Sequence, residues 1–364
     1  MGQEENVRMS VFISILIFLT ILIVVILIHE LGHFVTAKRS KVKVEELGLG
    51  FPPRVLSFTR GETIYSLNLI PIGGFCRMAG EDDPDVPNGL GQKRVRTRLL
   101  VLGAGSLFML LFPLILLPLA YMIPMERPVE DGGIKVVSVA EGSPAELAGI
   151  ETGDIILEIN GEEVKTSSDA KQIIEANIGE EVTLLISRDD DLLSTTLIPR
   201  TDEETPEGEE AIGIGMGPVT ENRAYPPWEA IPKGLGDYWQ LLVAAKDAFA
   251  SLIAGEVPLK DAVAGPIGIA QMTGEVAALG AWPLIQLTAL ISASLAVVNL
   301  LPIPGLDGGR IVFVIIEGIR RGKRISAKKE GMIHLIGLII LMMLVVLVSY
   351  NDIMRLIRGE GFIQ

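Results

Sequence analysis

The chain of 364 residues has one cysteine, Cys76, and three histidines. A single cysteine excludes an internal disulfide and points to a structural thiol. Basic residues are the minority: 31 Lys and Arg stand against 45 Asp and Glu, a net charge of -14. Nothing in that balance suggests nucleic-acid binding. The first ten residues hold Glu4, Glu5 and a lone Arg8, so a basic n-region is missing, and no A-x-A site follows the apolar run behind them. The first hydrophobic segment is therefore expected to stay with the protein rather than be cleaved as a signal peptide. No inverted repeat is visible, which sets aside a transporter.

Hydrophobicity is what the chain has in excess, at 49% of residues and a mean hydropathy of +0.45. Apolar stretches at Val11 to Ile28, Leu99 to Ile123, Leu284 to Leu301 and Ile333 to Ser349 are long enough, or nearly so, to cross a hydrocarbon core of ~30 Å. Four spans are expected. Charge then sets their direction: Lys38 to Arg98 holds 11 basic and 7 acidic residues, Arg310 to Gly331 holds 7 and 2, and Pro124 to Pro283 holds 10 and 30. The positive-inside rule makes the two basic loops cytoplasmic and places the acidic segment and both termini outside.

The first span runs directly into His29-Glu30-Leu31-Gly32-His33. Helical spacing puts both histidines on one face, where two imidazoles can grip one Zn²⁺, with Glu30 positioned to act on a water. Charged and polar groups at bilayer depth are costly and are usually kept for function. The third span ends in Asn299-Leu300-Leu301-Pro302-Ile303-Pro304-Gly305-Leu306-Asp307-Gly308-Gly309. Two prolines and three glycines predict unwinding there, freeing Asp307 as a carboxylate ligand. Spans one and three run the same way, so His29, His33 and Asp307 arrive at one depth and leave a fourth position for water, the pattern of a catalytic zinc site. Asn299 is a candidate donor to the substrate backbone or oxyanion; its plain alternative is a helix-bridging amide. His334, at the start of the fourth span, has no helical partner and reads as a satisfied or interfacial histidine.

Between these motifs, Glu62 to Leu69 alternates like a strand, Pro71-Ile72-Gly73-Gly74-Phe75 interrupts it, and Ile64 to Met78 reads as a hairpin dipping toward the membrane. Short strand-like runs at Ile134 to Val139, Ile155 to Asn160, Val182 to Arg188 and Leu192 to Pro199, with a helix at Ser168 to Asn177, mark a small soluble domain. Thr201 to Glu210 reads as an acidic linker. Trp228 to Ile253 reads as an amphipathic helix at the membrane surface or as a packing helix.

With HELGH in the first span and NLLPIPGLDGG in the third, the chain resembles the site-2 proteases, the zinc intramembrane proteases of family M50. Within it, the bacterial RseP/RasP-type regulators of sigma-factor signalling are most similar. Val136 to Val139 with Gly142-Ser143-Pro144-Ala145, Gly153-Asp154-Ile155-Ile156 and Ile159-Asn160-Gly161 resembles a PDZ domain, without a visible G-L-G-F loop. The resemblance implies that His29, His33 and Asp307 bind zinc, that Glu30 is catalytic, and that the hairpin with Gly73, Gly74 and Phe75 adds a strand to an unwound substrate helix. It departs from the family in span two, where Ala104-Gly105-Ser106-Leu107-Phe108-Met109 lacks a following Pro and Asn.

The expected architecture is a polytopic α-helical protein of the plasma (inner) membrane, four spans with the zinc site between the first and third, carrying an inserted extracytoplasmic α+β PDZ-like domain. Its segments are 1–37, the first span; 38–98, a cytoplasmic loop with the hairpin at about 62–80; 99–123, the second span; and 124–210, the PDZ-like domain and linker. Then come 211–283, an outer amphipathic or linker segment; 284–310, the third span; 311–332, a basic cytoplasmic loop; 333–350, the fourth span; and 351–364, a tail. The expected activity is cleavage of single-span membrane proteins, such as anti-sigma factors and remnant signal peptides, after a first cut by another protease. The competing class is a catalytically inactive, PDZ-bearing membrane scaffold, against which the intact Glu30 argues.

Overall fold

The computed structural model describes every residue except 1, 82–85, 130–131, 190, 202, 207–208, 256–263 and 359–364, so the end of the expected tail and parts of the acidic linker lie outside the described residues. Two compact units are present: Met1–Ile123 with Tyr225–Gln364, and Pro124–Ala224.

Four described helices of the first unit are long and apolar enough to cross a membrane: Phe12–Arg39, Val95–Tyr121, Ala281–Leu300 and Ala327–Ile357. The first lies within α1 (Gly2–Arg39), which continues unbroken through HELGH, so the two histidines keep their one-turn spacing. The second is α2 (Val95–Tyr121). After the second unit come α5 (Pro227–Ala254), α6 (Pro266–Ala278), α7 (Ala281–Leu300), α8 (Asp307–Ile319) and α9 (Ala327–Ile357). Residues Leu301–Leu306 break the helix where Pro302, Pro304 and Gly305 predict it, and Asp307 restarts it as the first residue of α8. Val25, Met109, Leu287, Ile291 and Ala296 form one buried cluster among α1, α2 and α7. Leu117, Tyr238 and Ala289 form another among α2, α5 and α7. Helix α5 is a packing helix on one face, where Tyr238 donates to the Leu110 carbonyl at 2.8 Å, and leaves Trp228 and Trp239 exposed on the other.

The loop after α1 is two long bent strands, β1 (Val44–Arg60) and β2 (Thr63–Met78). Val44–Leu49 lies between two stretches of β2: Leu47 faces Cys76 on one side and Tyr65 on the other. Arg54–Arg60 pairs antiparallel with Thr63–Asn68, so the two strands make a folded sheet with Gly74–Met78 as one margin. The expected interruption at Pro71–Phe75 is instead a crossover within β2, from one flank of Val44–Leu49 to the other. Gly50 (φ 77°) and Gly73 (φ 92°) supply the left-handed backbone at the bends; a side chain at Gly50 would meet the Ile70 carbonyl oxygen at 2.4 Å. Glu46 is buried at the centre and accepts from Arg54 Nε at 2.9 Å and from Ser66 Oγ at 2.7 Å.

The second unit contains β3 (Met125–Pro128), β4 (Ile134–Val139), α3 (Pro144–Leu147), β5 (Ile155–Ile159), β6 (Glu162–Glu163), α4 (Ser167–Ala176), β7 (Val182–Arg188), β8 (Asp191–Leu197), β9 (Ile214–Pro218) and β10 (Thr220–Arg223). The sheet order is β8-β7-β5-β4-β9, with β6 on β5 and a separate β3–β10 pair. The unit thus runs past residue 210 to Ala224, because Ile214–Pro218 pairs with β4 instead of leaving the domain. Its core is aliphatic: Ile134, Val136, Ile156, Ile159, Val182, Leu184, Ile186 and Ile214 are buried together. Thr166 and Asp169 form a capping box that starts α4. Arg188 clamps Asp154 through two bonds of 2.7 Å, and those hydrogen bonds hold the Asp154 carboxyl below the usual carboxylate range.

Candidate metal centre

His29 and His33 project from α1 toward the first turn of α8. The Nε2 atoms of the two rings are 3.2 Å apart, and Asp307 Oδ2 lies 3.2 Å from His29 Nε2 and 3.0 Å from His33 Nε2. Among the described residues this is the one cluster of three such groups that could hold a metal ion. Zinc bonds of about 2.0–2.1 Å in a tetrahedron separate ligand atoms by about 3.3 Å, so the triangle is close to the size such an ion requires. Two neutral imidazoles and a carboxylate also suit zinc chemically, and are the donor mix of catalytic rather than structural sites.

The far side of each ring is held by α2. His33 Nδ1 donates to the Val101 carbonyl at 2.8 Å, which leaves the lone pair on Nε2 facing Asp307. His29 Nδ1 donates to Met109 Sδ at 3.1 Å, a softer and weaker acceptor. Gly105 lets α2 come this close: a Cβ there would stand 2.5 Å from His33 Nε2 and 2.6 Å from His29 Cε1. Gly32, within HELGH, serves the same crossing, since a Cβ would meet the Ala104 carbonyl oxygen at 2.4 Å.

A cavity of about 420 Å³ opens onto the triangle. Glu30 lines it with the two histidines and Asp307, and Gly74, Phe75, Cys76, Arg77 and Met78 of the sheet margin form the facing wall. The sheet margin lies directly against Glu30: a Cβ on Gly74 would press within 3.1 Å of Glu30 Cγ. Cys76 itself is buried, and burial pushes its thiol up to about 12, which makes it an inert wall residue.

The expected site residues divide accordingly. His29, Glu30, His33, Asp307, Gly74 and Phe75 meet at this cavity; Gly73 and Asn299 are not among the residues lining it. Gly73 touches the Phe51 ring at the bend of the sheet, and Asn299 is half-buried in the last turn of α7. Residues unforeseen in the motifs are Val101, Gly105 and Met109 behind the rings, and Arg310, which lines the cavity one helical turn beyond Asp307 and pairs with Glu81. The i, i+3 relation of Arg310 to Asp307 was a readable signal; the α2 contacts, set by tertiary crossing, were not.

The model of peptidase family M50 matches residues 17–344. The chain belongs to peptidase family M50. As an M50 chain it is a zinc metalloprotease of the site-2 type and a membrane protein. A protein from Clostridium perfringens named as a zinc metalloprotease is 37% identical over 329 residues, covering 90% of this chain and 95% of that one. The zinc metalloprotease RasP of Geobacillus kaustophilus is 30% identical over 432 residues, covering 94% and 98%. The regulator of sigma-W protease RasP of Bacillus subtilis is 28% identical over 429 residues, covering 94% and 99%. Among solved structures, the PDZ domain of the SdrC-like protein of Listeria monocytogenes matches 25% of this chain and 93% of that domain, at 26% identity and a TM-score of 0.21.

Proposed function

We propose that this M50 protease cuts single-span membrane proteins within the bilayer, with His29, His33 and Asp307 as its zinc ligands and Glu30 as its general base. The observation that carries the reading is the convergence on one cavity of the three-donor triangle, Glu30, and a strand margin. Zinc held there supplies Lewis-acid chemistry, lowering the pKa of water and polarising a peptide carbonyl. Glu30, beside the triangle in the same cavity, takes the proton from the attacking water and delivers it to the departing amine. The margin Gly74–Met78 offers backbone donors and acceptors to a peptide that has left its helix, which meets the hydrogen-bond demand that unwinding creates in a bilayer. Arg310 lines the same cavity and is a second candidate, beside Asn299, for a polar group that meets the substrate backbone.

Four spans with both termini and the PDZ-like unit outside, and both basic loops inside, follow from the charge distribution. On that topology the cut releases a cytoplasmic fragment, and the outer unit meets substrates whose outer portion another protease has already trimmed. The name of the B. subtilis relative makes anti-sigma factors the first substrate class to try; remnant signal peptides are the second. The test is Glu30→Gln in native membranes with a tagged single-span reporter. Fragment release falls by at least about 100-fold, the range expected for loss of general base catalysis, while bound zinc is retained. Release at the parental rate overturns the assignment.

A further inference from the structure

Helix α9 has two buried positions among its described residues, Gly337 and Asp352, and they mark where it is pinned. At one end Asp352 accepts from the backbone N–H groups of Gly265 at 3.3 Å and Gly268 at 2.8 Å, at the start of α6. At the other, His334 Nδ1 accepts from the Gly305 N–H at 3.0 Å, and its ring packs on Phe313 of α8 with centroids 5.3 Å apart. One turn further on, Gly337 lies flush against the same turn: a Cβ there would stand 2.1 Å from the Pro304 carbonyl oxygen. Gly305 has φ 101°, and its own absent Cβ faces Leu338 N at 3.1 Å.

The gripped turn, Pro304–Gly305–Leu306, is the one that presents Asp307. Leu301–Leu306 is non-helical and its two prolines donate no N–H, so beyond the Ile303-to-Leu301 and Leu306-to-Ile303 backbone bonds and the packing of Gly308 and Gly309 on it, the height at which α8 restarts depends on what grips the segment from outside. We infer that His334 is a positioning residue for the metal centre, holding the Pro304–Gly305 turn so that the Asp307 carboxylate stands at ligand distance from His29 and His33. It acts through Asp307. The helix that contributes no ligand thereby sets the third one. This inference rests on the reading of Asp307 as a zinc ligand.

The experiment is zinc affinity of the full-length protein in detergent, by competition with a chromophoric chelator, in His334→Phe, His334→Asn and Asp307→Asn. Phenylalanine keeps the ring against Phe313 and removes the acceptor; asparagine keeps an acceptor near the position of Nδ1. Expected is a loss of about 10-fold or more for His334→Phe, the range seen when supporting partners of ligands are removed, and affinity within about twofold of the parent for His334→Asn. Parental affinity in His334→Phe, or an equal loss in His334→Asn, overturns the inference. Should His334→Phe not fold, Gly337→Ala displaces the same turn, with Gly331→Ala, whose Cβ meets nothing within 4 Å, as its control; parental zinc affinity in Gly337→Ala is equally fatal. Asp307→Asn separates the two readings: if it keeps its zinc, the ligand assignment fails, and if it alone loses zinc, only the role of His334 does.

Discussion

Replacing Gly105 with alanine adds one methyl group where α2 crosses behind the two histidines. That carbon would lie 2.5 Å from His33 Nε2, 2.6 Å from His29 Cε1 and 2.8 Å from His29 Nδ1. Contact between such atoms is comfortable at about 3.5 Å, so the rings or the helix must yield by about 1 Å. His33 has little freedom to yield: it is buried, and its Nδ1 is tied to Val101 at 2.8 Å. Ligand atoms tolerate displacements of roughly 0.2 Å before coordination suffers, which is several times less than the shift demanded. Zinc affinity is therefore expected to fall by about 100-fold, the upper end of the effect of disturbing the groups that orient ligands, and cleavage to fall with it. Gly103→Ala, on the same helix as Gly105, is the control, since its nearest neighbour would be Ile311 Cδ1 of α8 at 3.9 Å, an ordinary contact. Chelator competition and reporter cleavage are measured on both variants. Parental zinc affinity in Gly105→Ala, or equal loss in Gly103→Ala, refutes the reasoning.

Gly32→Ala sets a Cβ 2.4 Å from the Ala104 carbonyl oxygen, a backbone atom that cannot swing aside; overpacking of this kind costs about 1–3 kcal/mol. The thermal midpoint in detergent should drop relative to Gly331→Ala, and an unchanged midpoint would mean that α1 and α2 do not cross so closely. In the second unit the Asp154 carboxyl is held below its ordinary value by Arg188, so its stabilising contribution is complete above about pH 4, the unfolded value, and disappears as pH falls through the lower folded value. Hydrogen exchange of Val182–Arg188 in full-length Asp154→Asn should be faster than in the parent at pH 6 and approach it under strong acid; an equal gap at both pH values would remove the ion pair as the cause.

Local patterning foretold the elements whose residues carry their own reasons. Ile134–Val139 and Val182–Arg188 alternate and are strands with those limits. Two prolines and a glycine within four residues, Pro302, Pro304 and Gly305, are enough to stop α7, and HELGH needs only helical spacing to bring its histidines together. What stayed hidden depends on partners distant in sequence. Pro71–Phe75 looked like an interruption because Val44–Leu49, the strand it crosses, supplies its meaning only once both flanks are paired. Ile214–Pro218 was read as linker, being short and glycine-rich until β4 takes it up. Asn299 is close to Asp307 in sequence but lies before the break at Leu301–Leu306 and is not among the residues lining the cavity, whereas Arg310, beyond the break, shares the helix of Asp307.

Asp307 comes 274 residues after His33, on the far side of three long helices and an entire second unit. An emerging polypeptide therefore carries both histidines and Glu30 into the bilayer early, but with only two of the three donors. Until the ribosome has passed the α7–α8 break, the growing chain cannot assemble the triangle. On the proposed function, a protease whose prey is an apolar helix would thus lack its full ligand set while its own helices are the nearest ones, and would gain it only once the chain beyond the break has been made.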